Sequence, residues 1–195
     1  MTKKYYLESK NDFTDSSALI EKNLAEFGTC EHLDKCAETN LPPFWVYYTG
    51  GEMETTNRKI SNTAAATRAL GVYMYKNNAL GFLHWAYNFY YDVSSFGFAN
   101  PIAYPNAYRH LPGVTYLAYP INRKGELTAY PSIREMLMRE AMDDLRALKL
   151  LEAKIGRENT LALCEEKIGT LTACTIPSGE ELRELRELIN KKNSE

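Results

Sequence analysis

The residues from Ala79 to Asn88, ALGFLHWAYN, set the tightest limit on what this chain can fold into. A short apolar run with one glycine, introduced by Asn77-Asn78, is too long for a turn and too short for most helices, and it lacks polar–apolar alternation. It predicts a strand covered on both faces, the kind found in parallel α/β sheets. In such sheets ligands gather beyond the carboxyl ends of the strands. Trp85, Tyr87 and Asn88, at the far end of the run, are therefore the first candidate site residues.

A second strand is predicted upstream. Pro42-Pro43 excludes helix and delivers an extended chain into Phe44 to Thr49, a β-branched and aromatic run that Gly50-Gly51 ends. Between the two runs, Asn57 to Asn77 carries helical periodicity. Ile60, Ala64, Thr67, Leu70 and Met74 share one face, with Arg58, Lys59, Asn62 and Arg68 mostly off it. Strand, helix and strand in this order form a βαβ unit with parallel strands.

The rest of the chain is read around this unit. Tyr5 to Leu7 is expected as a short strand and Thr14 to Phe27 as a helix, with another turn or two from Glu31 to Thr39. After Asn88, residues 89–131 are rich in Tyr, Pro, Asn and Gly. A connection of that length in a compact domain is functional or disordered, and its aromatic content argues for an ordered excursion. Val114 to Tyr119 is expected as one strand of a hairpin turning at Asn122 to Gly125. Ser132 with Glu135 reads as a capping box opening a long helix. Ile133, Leu137, Ala141, Leu145, Leu148, Leu151 and Ile155 line its apolar face, and Gly156 stops it. Helices follow over Glu158 to Ile168 and from Ser178 to Lys191, the latter with its own box at Ser178 and Glu181.

Composition narrows the function. With 195 residues, 45% of them hydrophobic and 25% charged, the chain suits one globular domain. A net charge of −2 with scattered Lys and Arg argues against nucleic acid as a partner. No apolar run approaches the roughly 18 residues of a membrane span, and Met1-Thr-Lys-Lys-Tyr-Tyr lacks a signal peptide's apolar stretch, so the expectation is no membrane and a cytoplasmic location. Cys30, His32 and Cys36 are three potential zinc ligands without a fourth, and a helical turn with two half-buried thiols is the reading preferred. No phosphate loop, nucleophile elbow or metal motif appears, and no cofactor is expected.

Chemistry concentrates in the aromatic middle of the chain. Between Val72 and Tyr130 lie 15 of the 23 aromatic residues, ten of them Tyr. Tyr and Trp offer a flat apolar face with a polar edge, which suits stacking on a sugar ring, and neighbouring Asn and Asp supply hydrogen bonds. For most single tyrosines, packing of the long loop is the better reading, whereas for Trp85 and Asn88 packing and binding both stay open. Glycoside hydrolysis needs two carboxylates, or one assisted by the substrate. Glu52, Glu54 and Asp92 are the acids at suitable strand ends, with Glu52 better suited to binding. His84 alternates with Trp85 and is read as a core or supporting histidine, and His110 has no evident partner.

One ordered series ties these features together. Tyr47-Tyr48-Thr49, Arg68, Gly81 to Trp85 with Asn88, Pro112-Gly113, Leu117 to Pro120, Ser132-Ile-Arg134, Arg139-Glu140 and Asp143-Asp144 resemble the C-terminal part of the catalytic domain of glycoside hydrolase family 123, also known as domain of unknown function 4091. The resemblance runs from Phe44 to Leu151. It implies an α/β fold, the incomplete C-terminal portion of a (β/α)8 (TIM-like) barrel with additional C-terminal helices. Residues 1–43 would be an N-terminal helical segment, 44–156 the last βαβα part with its long aromatic loop, and 157–195 a helical extension.

The same resemblance implies a glycan or amino-sugar substrate, an N-acetylhexosamine of the N-acetylgalactosamine type. Trp85 would stack on the sugar, and Tyr48, Glu52, Tyr87, Asn88 and Asp92 would hydrogen-bond it. Arg134, Arg139 and Asp144 would tie the last barrel helix in place. The family's machinery is an adjacent Asp-Glu pair, and no such dipeptide occurs in this chain. The catalytic residues are therefore unassigned, and the pair is expected upstream of this chain; a missing N-terminal barrel half, or self-association, is expected to cover the open edge. The alternatives are a non-catalytic carbohydrate-binding module and an inactive fragment.

Overall fold

The computed structural model describes residues 58–84, 86–92, 95, 97–105, 112–169 and 176–195, together with the backbone of 45–48. The expected elements of the first forty residues, the Cys30–Cys36 cluster, Glu52, Glu54, Trp85 and His110 lie outside them.

Strand β1, Trp45–Tyr48, pairs in parallel with β2, Gly81–His84, in the register Trp45 to Gly81 through Tyr48 to His84. Helices α1, Ala64–Arg68, and α2, Leu70–Lys76, connect them, so the predicted strand–helix–strand unit is present. Its helical part is shorter than the periodicity implied. Thr63 Oγ1 accepts a hydrogen bond from Ala66 N at 3.2 Å and starts the helix there. Upstream, Arg58 and Lys59 are buried non-helical residues, at 0% and 2% exposure, while Ile60 is 45% exposed. The physical reason is tertiary: the Arg58 guanidinium lies 4.1 Å from the Phe82 ring centroid, and its backbone carbonyl accepts from Arg134 Nη1 at 2.9 Å. Those contacts override a helical pattern that rested on local periodicity.

β2 also differs from the expected strand. Phe82 packs on Leu70, Met74, Ala79 and Ala141, but Leu83 on the opposite side is 50% exposed. The strand is covered by helices on one face, and its regular part stops at His84.

Beyond the aromatic excursion, β3, Ala118–Arg123, and β4, Glu126–Pro131, form an antiparallel hairpin. The turn falls where it was expected. Lys124 and Gly125 adopt φ of 54° and 89°, the left-handed pair of a two-residue hairpin turn, and Gly125 N donates to Asn122 Oδ1 at 2.9 Å. The first strand begins later than expected because the backbone before it is engaged elsewhere. Phe89 N donates to Thr115 O, and Leu117 N to Tyr87 O, at 2.9 and 2.8 Å.

Three helices complete the fold: α3, Ile133–Ile155, α4, Arg157–Ile168, and α5, Gly179–Ser194. The predicted face of α3 is buried at Ala141, Leu148 and Leu151, although Ile133 at its start is 71% exposed. α5 carries the full capping box of Ser178 and Glu181 and buries Leu182, Leu185 and Ile189. One apolar cluster joins Val72, Tyr73 and Tyr75 of α2 to Leu148 and Leu151 of α3, Cys164 and Ile168 of α4, and those three residues of α5. Arg157 adds a polar tie by donating Nη2 hydrogen bonds to Tyr75 O at 3.0 Å and Lys76 O at 2.8 Å, satisfying carbonyls at the end of α2. Burial pushes the Cys164 thiol up to about 12, which leaves it an inert packing group.

The crossing of α2 and α3 is set by a missing side chain. A Cβ on Gly71 would sit 1.9 Å from the Ala141 carbonyl oxygen, a backbone atom that cannot swing aside. Gly71→Ala is therefore expected to lower stability by at least about 2 kcal/mol, because α2 must lift off α3. Equilibrium urea unfolding checks this; an unchanged midpoint would show that the helices have slack at the crossing.

Candidate functional site

The chain leaving β2 carries the described part of the predicted site. Tyr87 is 50% exposed and its hydroxyl donates to Glu135 Oε1 at 3.1 Å. Shielding from water, followed by the Glu135 carboxylate, raises the pKa of that hydroxyl above its ordinary value. Asn88 is exposed and bridges its backbone to Tyr116 in antiparallel fashion. Asp92 is occupied locally: Oδ1 accepts from Ser95 N at 2.7 Å, and its backbone N donates to Gly97 O at 3.0 Å, closing a turn that the Tyr91–Phe98 bridge continues. This is an aspartate's common role in a turn. Tyr48 places its backbone opposite His84 at the end of β1. The structure thus brings Tyr48 and the start of the Tyr87–Asn88 segment to the same end of the β1–β2 pair.

Most of the nearby tyrosines pack, as expected. Tyr90 and Tyr116 lie 5.8 Å apart between ring centroids, and Tyr116 meets Tyr119 edge-on at 5.3 Å. Tyr90 donates to Ala118 O at 2.6 Å and Tyr116 to Pro101 O at 2.9 Å. The hydroxyls of Tyr90 and Tyr116 are satisfied by backbone carbonyls, one at the start of β3 and one in the excursion, so these rings hold the excursion against the start of the hairpin. An apolar groove of about 390 Å³ lies beside them, lined by Ile60, Pro101, Ile102, Tyr119, Ile121 and Tyr130 among others.

Glu135 was absent from the candidate acids because its spacing from Ser132 read as helix capping. Only half of that box forms. Ser132 Oγ accepts from Glu135 N at 3.3 Å, but Ser132 N donates to Leu117 O at 2.8 Å, so the carboxylate turns to Tyr87. Its second oxygen, Oε2, is shielded from solvent and has no hydrogen-bond partner among the described residues. An unpaired acceptor of this kind costs about 1–3 kcal/mol.

Behind the site stands a buried cationic group. Arg58 Nε donates to His84 Nδ1 at 3.4 Å, which leaves the His84 proton on Nε2. Burial first, then the charges of Arg58 and Arg134, lowers the His84 pKa to about 3. The imidazole is neutral and cannot serve as a general base near neutrality, in line with its reading as a supporting residue. Arg134, 5% exposed, donates Nη1 to the carbonyls of Arg58 and Gly113 and lies 5.3 Å from the Tyr116 ring centroid. Gly113 has φ of 70°, and a Cβ there would fall 2.6 Å from Arg134 Nη1. Asp144 is held by Arg68 Nε at 2.9 Å and by Arg186 Nη1 at 2.7 Å, so it ties α1 and α5 to α3. Arg139, expected to help, is exposed.

Among the described residues no group of three His, Cys, Asp or Glu could hold a metal ion, and no helix is long and apolar enough to cross a membrane. The family model of the glycoside hydrolase 123 catalytic domain matches residues 1–151. The chain belongs to the glycoside hydrolase 123 family. No curated protein matches it in sequence. The match extends the resemblance from Phe44 back to residue 1, and it ends inside α3, so the glycoside hydrolase 123 region excludes α4 and α5.

The depressed His84 pKa has a pH consequence for this glycoside hydrolase 123 domain. The unfolded chain takes up the His84 proton below about 6.5, whereas the folded chain does so only near 3, so stability is full above about pH 6.5 and falls as pH drops toward 3. The slope from this one residue reaches about 1.4 kcal/mol per pH unit. Comparing wild type and His84→Gln by denaturant unfolding at several pH values should show a flatter dependence in the variant; equal slopes would mean that His84 protonates freely in the fold.

Proposed function

We propose that the chain forms the sugar-binding side of a glycoside hydrolase 123 barrel, with β1 and β2 as its last two strands and α3 as its last barrel helix. Its ligand is an N-acetylhexosamine of a glycan, of the N-acetylgalactosamine type. The observation that carries the reading is the family match over residues 1–151. The parallel β1–β2 pair, helix-backed on one face and open at Leu83 on the other, supports it, since a parallel sheet is normally covered on both faces.

In this reading Trp85 stacks on the sugar ring, and Tyr48, Tyr87 and Asn88 hydrogen-bond its hydroxyls, with Glu52 and Asp92 at the margin. The exposure of Tyr87 and Asn88 beyond β2 supports their role. Hydrolysis assisted by the substrate's acetamido group needs an adjacent Asp-Glu pair, which this sequence does not contain. The pair comes from outside these residues, through further barrel strands on the same or a second polypeptide. The missing dipeptide also favours a second reading, a carbohydrate-binding module that holds glycans without turnover.

Titrating the chain with N-acetylgalactosamine and following tryptophan fluorescence should give saturable binding, weakened about tenfold or more in Trp85→Ala. The purified chain should not cleave an aryl N-acetylgalactosaminide. Supplying a glycoside hydrolase 123 segment that bears the Asp-Glu pair should restore cleavage if the barrel reading holds, and should leave a binding module inert. Turnover by the isolated chain, abolished by Glu52→Gln, would overturn both readings.

A further inference from the structure

The half-formed capping box of α3 leaves a carboxylate with no local task. Glu135 stands at the third position of the helix, where its side chain would ordinarily accept a hydrogen bond from Ser132 N. Leu117 O takes that donor at 2.8 Å. Glu135 Oε1 is fixed instead by the Tyr87 hydroxyl at 3.1 Å, and Oε2 is kept from water without a donor among the described residues. A shielded acceptor left in this state calls for an explanation, and contact with a ligand supplies one. Tyr87, its anchor, is three residues beyond the end of β2 and half exposed, where a ligand of a parallel α/β sheet would lie.

We infer that Glu135, positioned by Tyr87, is a substrate-contacting residue whose Oε2 accepts a hydrogen bond from one hydroxyl, or from the acetamido N–H, of the bound N-acetylhexosamine. The inference rests on the sugar-binding reading given above. A charged acceptor that meets its donor only in the complex discriminates strongly against a ligand lacking that donor, because removing the donor leaves the carboxylate unpaired. Since Oε2 is shielded, a ligand reaches it with a shift of the side chains around it, of which Tyr87 is an exposed one.

Calorimetric titration of the full 195-residue chain tests this with N-acetylgalactosamine, each of its monodeoxy derivatives, and galactose, which lacks the acetamido group. Wild type should bind one analogue about tenfold or more weakly than the parent sugar. Glu135→Ala should weaken the parent by a similar factor and erase the preference against that one analogue, while the other preferences persist. Tyr87→Phe, which removes the anchoring hydroxyl and keeps the ring, should lose several-fold. Thermal melts of each variant check folding, and Glu135→Gln, which keeps the side chain's size, decides the matter if the alanine variant melts early. Unchanged affinity in Glu135→Gln and Glu135→Ala would overturn the inference, as would equal weakening toward every sugar, the mark of a purely structural role. If Trp85→Ala weakens binding and the Glu135 variants do not, this inference fails alone; if wild type binds no sugar, the sugar-binding reading fails with it.

Discussion

A single guanidinium fixes the geometry on which the site region depends. Arg134 enters at the second residue of α3 and donates to the carbonyls of Arg58 and Gly113, which belong to the segment before α1 and to the end of the aromatic excursion. Three stretches far apart in sequence meet at one guanidinium nitrogen, Nη1, with no acid among the described residues in the contact. The arrangement works because backbone carbonyls satisfy a buried arginine donor, and because Gly113 leaves room for the approach. Burial lowers the Arg134 pKa, and the nearby Tyr119 hydroxyl works in the opposite direction. Burial, and then the charges of Arg58 and Arg134, keeps His84 neutral.

The parts of the fold legible in the sequence are those where local signals and tertiary demands agree. The β1–β2 unit, the hairpin turn at Lys124-Gly125, α3 with its stop at Gly156, and the capped α5 all carry signals that short-range chemistry explains. The misreadings fall where distant partners decide. Arg58 and Lys59 sat off the apolar face of a helical pattern, yet contacts with Phe82, His84 and Arg134 draw Arg58 into the interior and delay the helix to Ala64. Leu83 looked like one residue of a doubly buried strand, but periodicity does not say how many layers will cover it.

For the candidate site, the sequence pointed to positions and not to roles. The end of β2 was readable from its apolar run, and Tyr87 and Asn88 stand exposed beyond it. Asp92 was drawn into the list by position, and its Asx turn with Ser95 shows the local work it does. Glu135 escaped notice because the pattern Ser-x-x-Glu has a complete structural explanation in isolation. Only the competing hydrogen bond from Ser132 N to Leu117 O shows that the explanation is half used.

The apolar cluster shared by α2, α3, α4 and α5 separates two boundaries that are easily assumed to coincide. The family match ends at residue 151, inside α3, while Cys164, Ile168, Leu182, Leu185 and Ile189 pack on Val72, Tyr73 and Tyr75 from beyond it. A chain cut at the family boundary would present those α2 side chains to water and lose the arginine that closes the α2 terminus. Heredity and cooperativity draw different borders here. The last two helices, beyond the family match, share the apolar core on which the connection between β1 and β2 rests.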